Sequence, residues 1–182
     1  MFSPTAQNKL ALVLNETFDP YTLAGQFNAV AKALAGDAPR SDHHEALLKT
    51  YRAVLNTVAQ KQYQCAQAAA RKNATDSGAA HQVEGILEFL PAPRSFHRGR
   101  ATPLVRITTA QGVITVHVVG VKNIDPRRAG IEKAFAKLHG QKVFARGFLW
   151  ANEDGVNLTL ADAKDLKRFS PAAKKTSILR KK

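Results

Sequence analysis

Hydrophobic side chains recur every three or four positions over the first 72 residues, and this spacing is typical of one face of a helix. Ser3 followed by Pro4 marks the start of a first helix, since proline fits the first helical turn. Asp19 followed by Pro20 repeats that signal, and Gly36 ends the second helix. The apolar face of the second helix consists of Leu23, Phe27, Val30 and Leu34.

A third and longer helix is predicted over residues 42–72, where Asp42 and Glu45 have the spacing of a capping box. At about 1.5 Å per residue this helix is about 45 Å long, so its second half needs a further packing partner. Its expected buried face consists of Leu47, Tyr51, Val54 or Leu55, Val58 and Cys65. We therefore expect a three-helix domain over residues 1–76, followed by a linker over 77–81.

After His81 the hydrophobic period changes from about 3.6 to 2, which predicts strands. The first predicted strand covers residues 81–90. Two more, joined across Gln111 and Gly112, form a hairpin. A short amphipathic helix over residues 131–138 precedes two final strands.

This order of elements, with a helix between the third and fourth strands, resembles the OB-fold, a five-stranded Greek-key barrel. Residues 82–168 carry the resemblance, and Gly85 and Gly147 lie inside strands that a small barrel must coil sharply. We predict an α+β protein, an N-terminal helical bundle followed by a five-stranded OB-like Greek-key β-barrel, with a basic flexible tail over residues 169–182. The resemblance implies oligonucleotide binding, although some OB-folds bind sugars or proteins.

The charge of the chain is strongly positive, with 27 Lys+Arg against 14 Asp+Glu and a net charge of +13. Residues 1–80 carry a net charge of +2, residues 81–168 carry +6, and the last fourteen carry +5. Such an excess favours a polyanionic partner, nucleic acid before an anionic membrane, that contacts the second half of the chain. No apolar run has the roughly 18 residues of a membrane span, so we expect no membrane partner.

The predicted loop after the first strand is rich in arginine and contains no acidic residue. Its cations can follow phosphates, and an aromatic ring among them can stack on a base. The candidate contacts in this loop are Arg94, Phe96, His97, Arg98 and Arg100. The alternative is a solvated loop whose arginines only keep the protein soluble.

The second and third predicted strands alternate, which places polar side chains on the outer face if Val105 and Ile107 face inward. The outward residues are Arg106, Thr108, Thr115 and His117. This strip suits contacts to a nucleic-acid backbone with little base selection. An ordinary polar sheet face explains the same pattern.

The fourth predicted strand alternates small or aliphatic residues with aromatic and cationic ones. If Val143 and Ala145 face inward, the outer residues are Lys142, Phe144, Arg146, Phe148 and Trp150. Burying each aromatic side chain is worth roughly 1.5–3 kcal/mol, so something must cover this stripe. The candidates are bases stacked between cations, or the long third helix or a second subunit. We expect Phe144 and Phe148 to serve docking, Trp150 to stack on a base, and Arg146 to contact the nucleic acid.

Further cations extend this positive surface. Lys122, Arg127 and Arg128 follow the third strand and continue the electrostatic path, or are merely solvated. The tail adds salt-sensitive affinity that does not depend on sequence, or recruits an acidic protein. Its candidate contacts are Lys174, Lys175, Arg180, Lys181 and Lys182.

Motifs of known enzymes are missing from the chain, which contains no P-loop, GxGxxG, HExxH or paired CxxC. Its carboxylates are scattered without a two-metal spacing, and His43 and His44 read as surface residues. We expect no enzymatic activity, cofactor or metal. The single cysteine, Cys65, reads as an inert core thiol in a reducing compartment, and without a secretory leader we expect a cytoplasmic protein.

These patterns predict a single-stranded nucleic-acid-binding protein with low sequence specificity, DNA ahead of RNA. The expected site is a cationic groove along the sheet face, closed by the loop over residues 91–102 and by the turn at 151–155, with Phe96 and Trp150 as stacking residues. Replication, recombination, repair and transfer of mobile DNA are compatible contexts. The helical part would serve homodimerisation or docking of a protein partner. The alternative is a protein-interaction scaffold or accessory factor in a nucleoprotein complex. A metal-dependent nuclease is a third hypothesis.

Overall fold

The computed structural model describes residues 19–36, 39–72, 80–91, 103–120 and 127–170, with the backbone alone for 127–128. The predicted first helix, most of the predicted linker, the arginine-rich loop, Lys122 and the tail cations lie outside the described residues. Helices precede a closed barrel of five strands, so the predicted α+β fold class is confirmed. The division at 77–81 stays a prediction.

Helix α1 covers Pro20–Ala35 and begins and ends where the sequence predicts. The Asp19 carboxylate accepts hydrogen bonds of 2.9 Å from the amides of Tyr21 and Thr22, and Gly36 is the C-cap. These bonds satisfy amides that a helix start otherwise leaves without partners. Its buried residues are Leu23, Ala24, Phe27 and Val30.

Helix α2 covers Asp42–Arg71, close to the predicted bounds. The predicted capping box is wrong, because Ser41 is the N-cap and its hydroxyl accepts from the amide of His44 at 3.3 Å. The predicted buried face is also wrong at two positions, since Leu47 is 53% exposed and Cys65 is exposed. The buried residues are Val54, Leu55, Val58, Ala59, Gln62, Ala66 and Ala70.

Five strands form a closed barrel, which is compatible with an OB-like fold. The strands are β1 (His81–Leu90), β2 (Leu104–Thr109), β3 (Gly112–Val118), β4 (Lys142–Asn152) and β5 (Gly155–Leu160). β1 pairs with both β2 and β4, which closes the sheet, and β3 runs parallel to β5. Helix α3 (Arg127–Ala136) connects β3 to β4, and its Phe135 is buried in the core.

Gly85 lies where β1 leaves one neighbouring strand and joins another. The next residue, Ile86, pairs with Lys142 of β4 and with Thr108 of β2. A Cβ atom added at Gly85 would lie 2.2 Å from the carbonyl oxygen of Thr108, so only glycine permits this approach. Gly147 of β4 is similar, with 2.5 Å to the carbonyl oxygen of Thr159.

A short sixth strand follows the barrel. After a 3-10 helix (Ala163–Asp165), β6 (Leu166–Arg168) pairs antiparallel with β4. The sequence predicts only a last turn here, because three residues are too few for alternation to show.

The two N-terminal helices pack on one side of the barrel, mainly on β4 and β5. Leu23, Phe27 and Leu55 share a hydrophobic core with barrel residues such as Ile107 and Leu158. The second half of α2 thus finds the packing partner that its length requires. The outer face of β1, β2 and β3 lies away from these contacts.

Candidate nucleic-acid interface

One face of the barrel presents polar and apolar side chains to solvent. We call it the open face and define it by Ile86, Arg106, Thr108, Val113, Thr115 and His117. In the register of β1, β2 and β3, Thr108 lies between Ile86 and Val113, and Arg106 lies opposite Thr115. The face therefore brings together the four residues that the sequence selects on these strands. Their role in binding stays a prediction.

Three residues of this region were missed by sequence reasoning. Ile86 is 47% exposed and Val113 is 51% exposed, so the face is partly apolar. Glu88 lies opposite Arg106 in the β1–β2 register and places a carboxylate beside the predicted cation. The alternation of β1 is the signal that could have found Ile86 and Glu88, since Val83 and Leu87 face the core.

His117 is held at the edge of the open face by a chain of amides. Its Nε2 lies 3.0 Å from Oδ1 of Asn157, and Nδ2 of Asn157 donates to Oδ1 of Asn152 at 3.1 Å. The same Nδ2 also donates to the carbonyl oxygen of Gly155 at 3.0 Å. Because Asn157 is 5% exposed and held by two donor bonds, it fixes the orientation of the His117 ring.

Three basic segments are attached at one end of the barrel, which we call the basic end. Leu90 pairs with Leu104 there, and Lys142 begins β4 beside the second half of β1. Because β3 is parallel to β5 and β4 is antiparallel to β5, Val118 also lies at this end. The segments 92–102, 121–126 and 171–182 are attached to these strands or to β6. Together they contain nine Lys and Arg and one acidic residue, Asp125.

The root of the basic tail is anchored at the same end. The amide of Phe169 donates to the carbonyl oxygen of Lys142 at 2.8 Å. The ammonium of Lys142 lies 4.0 Å from the centre of the Phe169 ring, in a cation–π contact. The segment 171–182 is therefore attached at the same end of the barrel as the arginine-rich segment. Arg127 and Arg128, the first residues of α3, follow the segment 121–126.

The opposite end of the barrel carries the two hairpin turns. The β2–β3 turn contains Ala110 and Gln111, and the β4–β5 turn contains Glu153 and Asp154. The arginine-rich segment and the β4–β5 turn are thus attached at opposite ends of the strands, with the open face between them. The expectation that both segments close one groove is therefore not met by their attachment points. The Glu153 carboxylate forms an ion pair with Arg52 of α2.

Arg146 does not join the open face. It is exposed on β4 and lies opposite Gln82 in the β1–β4 register. Phe144 lies on the same side, opposite Glu84 of β1 and Lys167 of β6, and is half-buried. The stripe predicted on β4 therefore does not form one surface. Phe144 and Arg146 lie beside β1, whereas the other two aromatic residues lie against α2.

The other two aromatic residues of that stripe are covered by α2. Phe148 is 7% exposed and Trp150 is 9% exposed, and they pack with Ala66 and Ala70 of α2. Small alanine side chains let the helix approach the sheet closely. The helix thus supplies the cover that the cost of exposing aromatics requires. Trp150 therefore lies largely beneath α2, and its predicted stacking role stays a prediction.

The indole of Trp150 is fixed by a buried hydrogen bond. Its Nε1 donates to Oγ1 of Thr159 at 3.0 Å, and Thr159 is fully buried. Nε2 of Gln67 on α2 donates to the same oxygen at 3.4 Å. A second contact of α2 is made by Oε1 of Gln62, which accepts from the amide of Ala151 at 3.2 Å.

We expect Thr159→Val to lower the free energy of unfolding by about 1–3 kcal/mol, because it leaves the buried indole N–H without an acceptor. Thr159→Ser is the matched control, since it keeps the hydroxyl. Urea unfolding followed by the emission of Trp150 measures both variants. Equal or smaller destabilisation by valine than by serine would contradict a structural role for this bond.

A small cleft of about 210 Å³ lies between the start of α1 and the β2–β3 turn. Tyr21 lines it together with Gln82, Thr109 and Gln111. Burial raises the pKa of the Tyr21 hydroxyl above its ordinary value, and the neighbouring Asp19 carboxylate adds to the rise. The hydroxyl is therefore neutral at physiological pH and acts only as a hydrogen-bonding group.

Within the described residues, no group of three or more His, Cys, Asp or Glu side chains could hold a metal ion. Among the helices that the structure describes, none is long and apolar enough to cross a membrane.

Comparison with known proteins gives no match. No family model, no curated protein and no solved structure matches the chain. The chemistry of the chain itself is therefore the basis for its functional interpretation.

Proposed function

We propose that the protein binds single-stranded nucleic acid, with DNA ahead of RNA and little sequence preference, across the open face and the basic end. The observation that carries this proposal is the attachment of three basic segments at one end of the barrel, beside a solvent-exposed sheet face. Cations gathered at one place neutralise neighbouring phosphates, whereas the same charges spread over a surface would not.

The dimensions of the open face suit a short stretch of single strand. β2 and β3 contain 6 and 7 residues, so the face measures about 20 Å along the strands. OB-folds that bind single strands occupy roughly 4–16 nucleotides each. A strand that starts among the cations of the basic end can therefore extend over Thr108 and Thr115 without leaving the barrel.

The apolar part of the open face favours DNA over RNA. Ile86 and Val113 are each about half exposed and flank Thr108. A deoxyribose or a base can cover these side chains, and their burial stabilises the complex. A ribose 2′-hydroxyl placed against them would lose hydrogen bonds to water, which costs free energy.

The proposal is tested by fluorescence anisotropy with labelled single-stranded DNA, duplex DNA and RNA of one length over a range of salt concentrations. We expect the tightest binding for single-stranded DNA and a steep loss of affinity as salt rises. Neutralising four phosphates would give a slope of about −3 in log K against log salt. Feeble binding to all three nucleic acids at every salt concentration would refute the proposal.

A protein-interaction scaffold is the second candidate function, and the composition of the open face favours it. Leu90 is 39% exposed and lies on the same side of β1 as Ile86, and Glu88 between them adds a carboxyl group. An exposed apolar patch with a carboxylate suits a protein surface as well as a base. This alternative predicts feeble oligonucleotide binding in the same anisotropy assay.

A further inference from the structure

We infer that a groove between α2 and the β4–β5 hairpin receives a single nucleobase. The groove has a volume of about 450 Å³, within the range of pockets that hold small organic ligands. Asn56, Gln60 and Tyr63 of α2 form one wall, and Trp150 and Asn152 of β4 form the other. The inference deepens the proposed function, because the base would belong to a strand that lies on the open face.

Two amide side chains in the groove are available to a ligand. Asn56 and Gln60 are exposed and, in the part of the chain that the structure describes, have no hydrogen-bond partner. They are four residues apart on α2, so their side chains lie on the same face of the helix. Each amide offers donors and an acceptor, as the edge of a base requires.

The other polar wall of the groove is already fixed. Oδ1 of Asn152 accepts from the amide of Asp154 and from Nδ2 of Asn157, both at 3.1 Å. Its Nδ2 donates to Oδ2 of Asp154 at 3.2 Å. Recognition of a base edge would therefore come from the α2 side, while Asn152 keeps the hairpin wall rigid.

Tyr63 supplies an aromatic surface for the base. It is 37% exposed, and its ring centre lies 4.9 Å from that of Trp150 in an edge-to-face arrangement. Trp150 is held by its bond to Thr159, so it fixes the position of the Tyr63 ring. Stacking on an aromatic ring tolerates any base, which agrees with low sequence preference.

The groove is connected to the open face through one row of the sheet. Arg106 lies opposite Thr115, Thr115 opposite Asn157, and Asn157 opposite Trp150. The ring of His117 lies 5.7 Å from that of Trp150. In the register of the sheet, only β5 separates the open face from the groove.

Trp150 is the only tryptophan of the chain, so its fluorescence reports on the groove. We would titrate the full chain with oligothymidylate, oligodeoxyadenylate and an abasic oligonucleotide of the same length, and with free thymidine and deoxyadenosine. We expect the two base-bearing oligonucleotides to change the emission of Trp150, and the abasic one to bind more weakly without changing it. Anisotropy of labelled oligonucleotides measures binding independently.

Asn56→Ala with Gln60→Ala should weaken binding of base-bearing oligonucleotides about tenfold and leave the salt slope unchanged, since no phosphate contact is lost. Asn28→Ala, an exposed amide on α1, is the matched control and should change neither quantity. Circular dichroism verifies that each variant is folded.

The results of these experiments distinguish a failure of the groove assignment from a failure of the proposed function. Oligonucleotide binding without any change in Trp150 emission would overturn the groove assignment and leave the proposed function standing. A response to free nucleosides alone, without oligonucleotide binding, would support the groove as a nucleobase site and refute the proposed function. An effect of Asn28→Ala equal to that of the double variant would also overturn the groove assignment.

Discussion

Replacing Arg98 and Arg100 together with alanine is expected to weaken binding of single-stranded DNA by roughly 10- to 100-fold. Both residues belong to the segment 92–102, which connects β1 to β2 at the basic end. A guanidinium that contacts a phosphate forms charge-assisted hydrogen bonds and releases a condensed counterion. Removal of two such contacts should also reduce the steepness of the salt dependence by about 1.4, since each contributes about 0.7 for single strands.

The matched control removes two positive charges elsewhere. Lys32 on α1 and Lys49 on α2 are exposed and belong to the helices rather than to the basic end. Lys32→Ala with Lys49→Ala lowers the net charge by the same amount. We expect this variant to lose much less affinity and to keep its salt slope, because only long-range attraction is reduced. Anisotropy over a range of salt concentrations compares the two variants with the native protein.

Two outcomes of this comparison would contradict the proposed interface. Equal losses in both double variants would mean that net charge, rather than the arginine-rich segment, determines affinity. An unchanged affinity in Arg98→Ala with Arg100→Ala would mean that the segment does not contact the nucleic acid.

Glu88→Gln should change the affinity in the opposite direction. Removing the carboxylate opposite Arg106 should strengthen binding if the open face carries phosphates.

Local patterns in the sequence predicted most of the fold. Asp19, Pro20 and Gly36 mark the ends of α1, and the caps form where those residues stand. The hairpin at Gln111 and the inward positions of β2 follow from a period of two. These features depend on neighbours in sequence, and for this reason they can be read without a tertiary structure.

Contacts between distant elements were harder to predict. The expected stripe of α2 included Leu47 and Cys65, because periodicity identifies an apolar face but not its partner. The second half of the helix packs on β4, so alanines and Gln62 are buried where larger side chains would be expected. A buried glutamine that accepts from the amide of Ala151 leaves no hydrophobic signal in the sequence.

In the candidate site, too, local patterns could be predicted from the sequence, whereas contacts between distant elements could not. Alternation along β2 and β3 was enough to place Arg106 and His117 on one face. The attachment of three separate basic segments at one end depends on the parallel pairing of β3 with β5. This pairing cannot be derived from the composition of the chain. The groove beside Tyr63 likewise exists only because α2 lies against the β4–β5 hairpin.

Gly85→Ala is expected to lower the free energy of unfolding by about 3 kcal/mol or more, a large part of the roughly 5–15 kcal/mol that stabilises an ordinary domain. The added Cβ would lie 2.2 Å from the carbonyl oxygen of Thr108 and 2.6 Å from Cγ2 of Ile107. The first of these atoms belongs to the backbone of β2 and cannot rotate away. Relief therefore requires β1 and β2 to separate. Gly147→Ala should act in the same way, through the carbonyl oxygen of Thr159.

Gly25→Ala is the control that isolates this effect. Gly25 is exposed in α1, and a Cβ there meets no atom within 4 Å. Alanine favours a helix over glycine by about 0.5–1 kcal/mol, so this variant should be more stable than the native protein. Urea unfolding followed by circular dichroism compares all the variants. A native midpoint for Gly85→Ala would contradict the close approach of β1 to β2.

Gly85→Ala should also weaken the proposed nucleic-acid binding. Ile86 and Glu88 reach the open face only because β1 changes its partner from β4 to β2 directly after Gly85. If β1 and β2 separate, the attachment points of the segment 92–102 separate too, and the cations no longer share one end. Oligonucleotide affinity of Gly85→Ala should therefore fall in parallel with the fraction of folded protein. Full affinity in an unfolded variant would mean that the basic segments bind without the barrel.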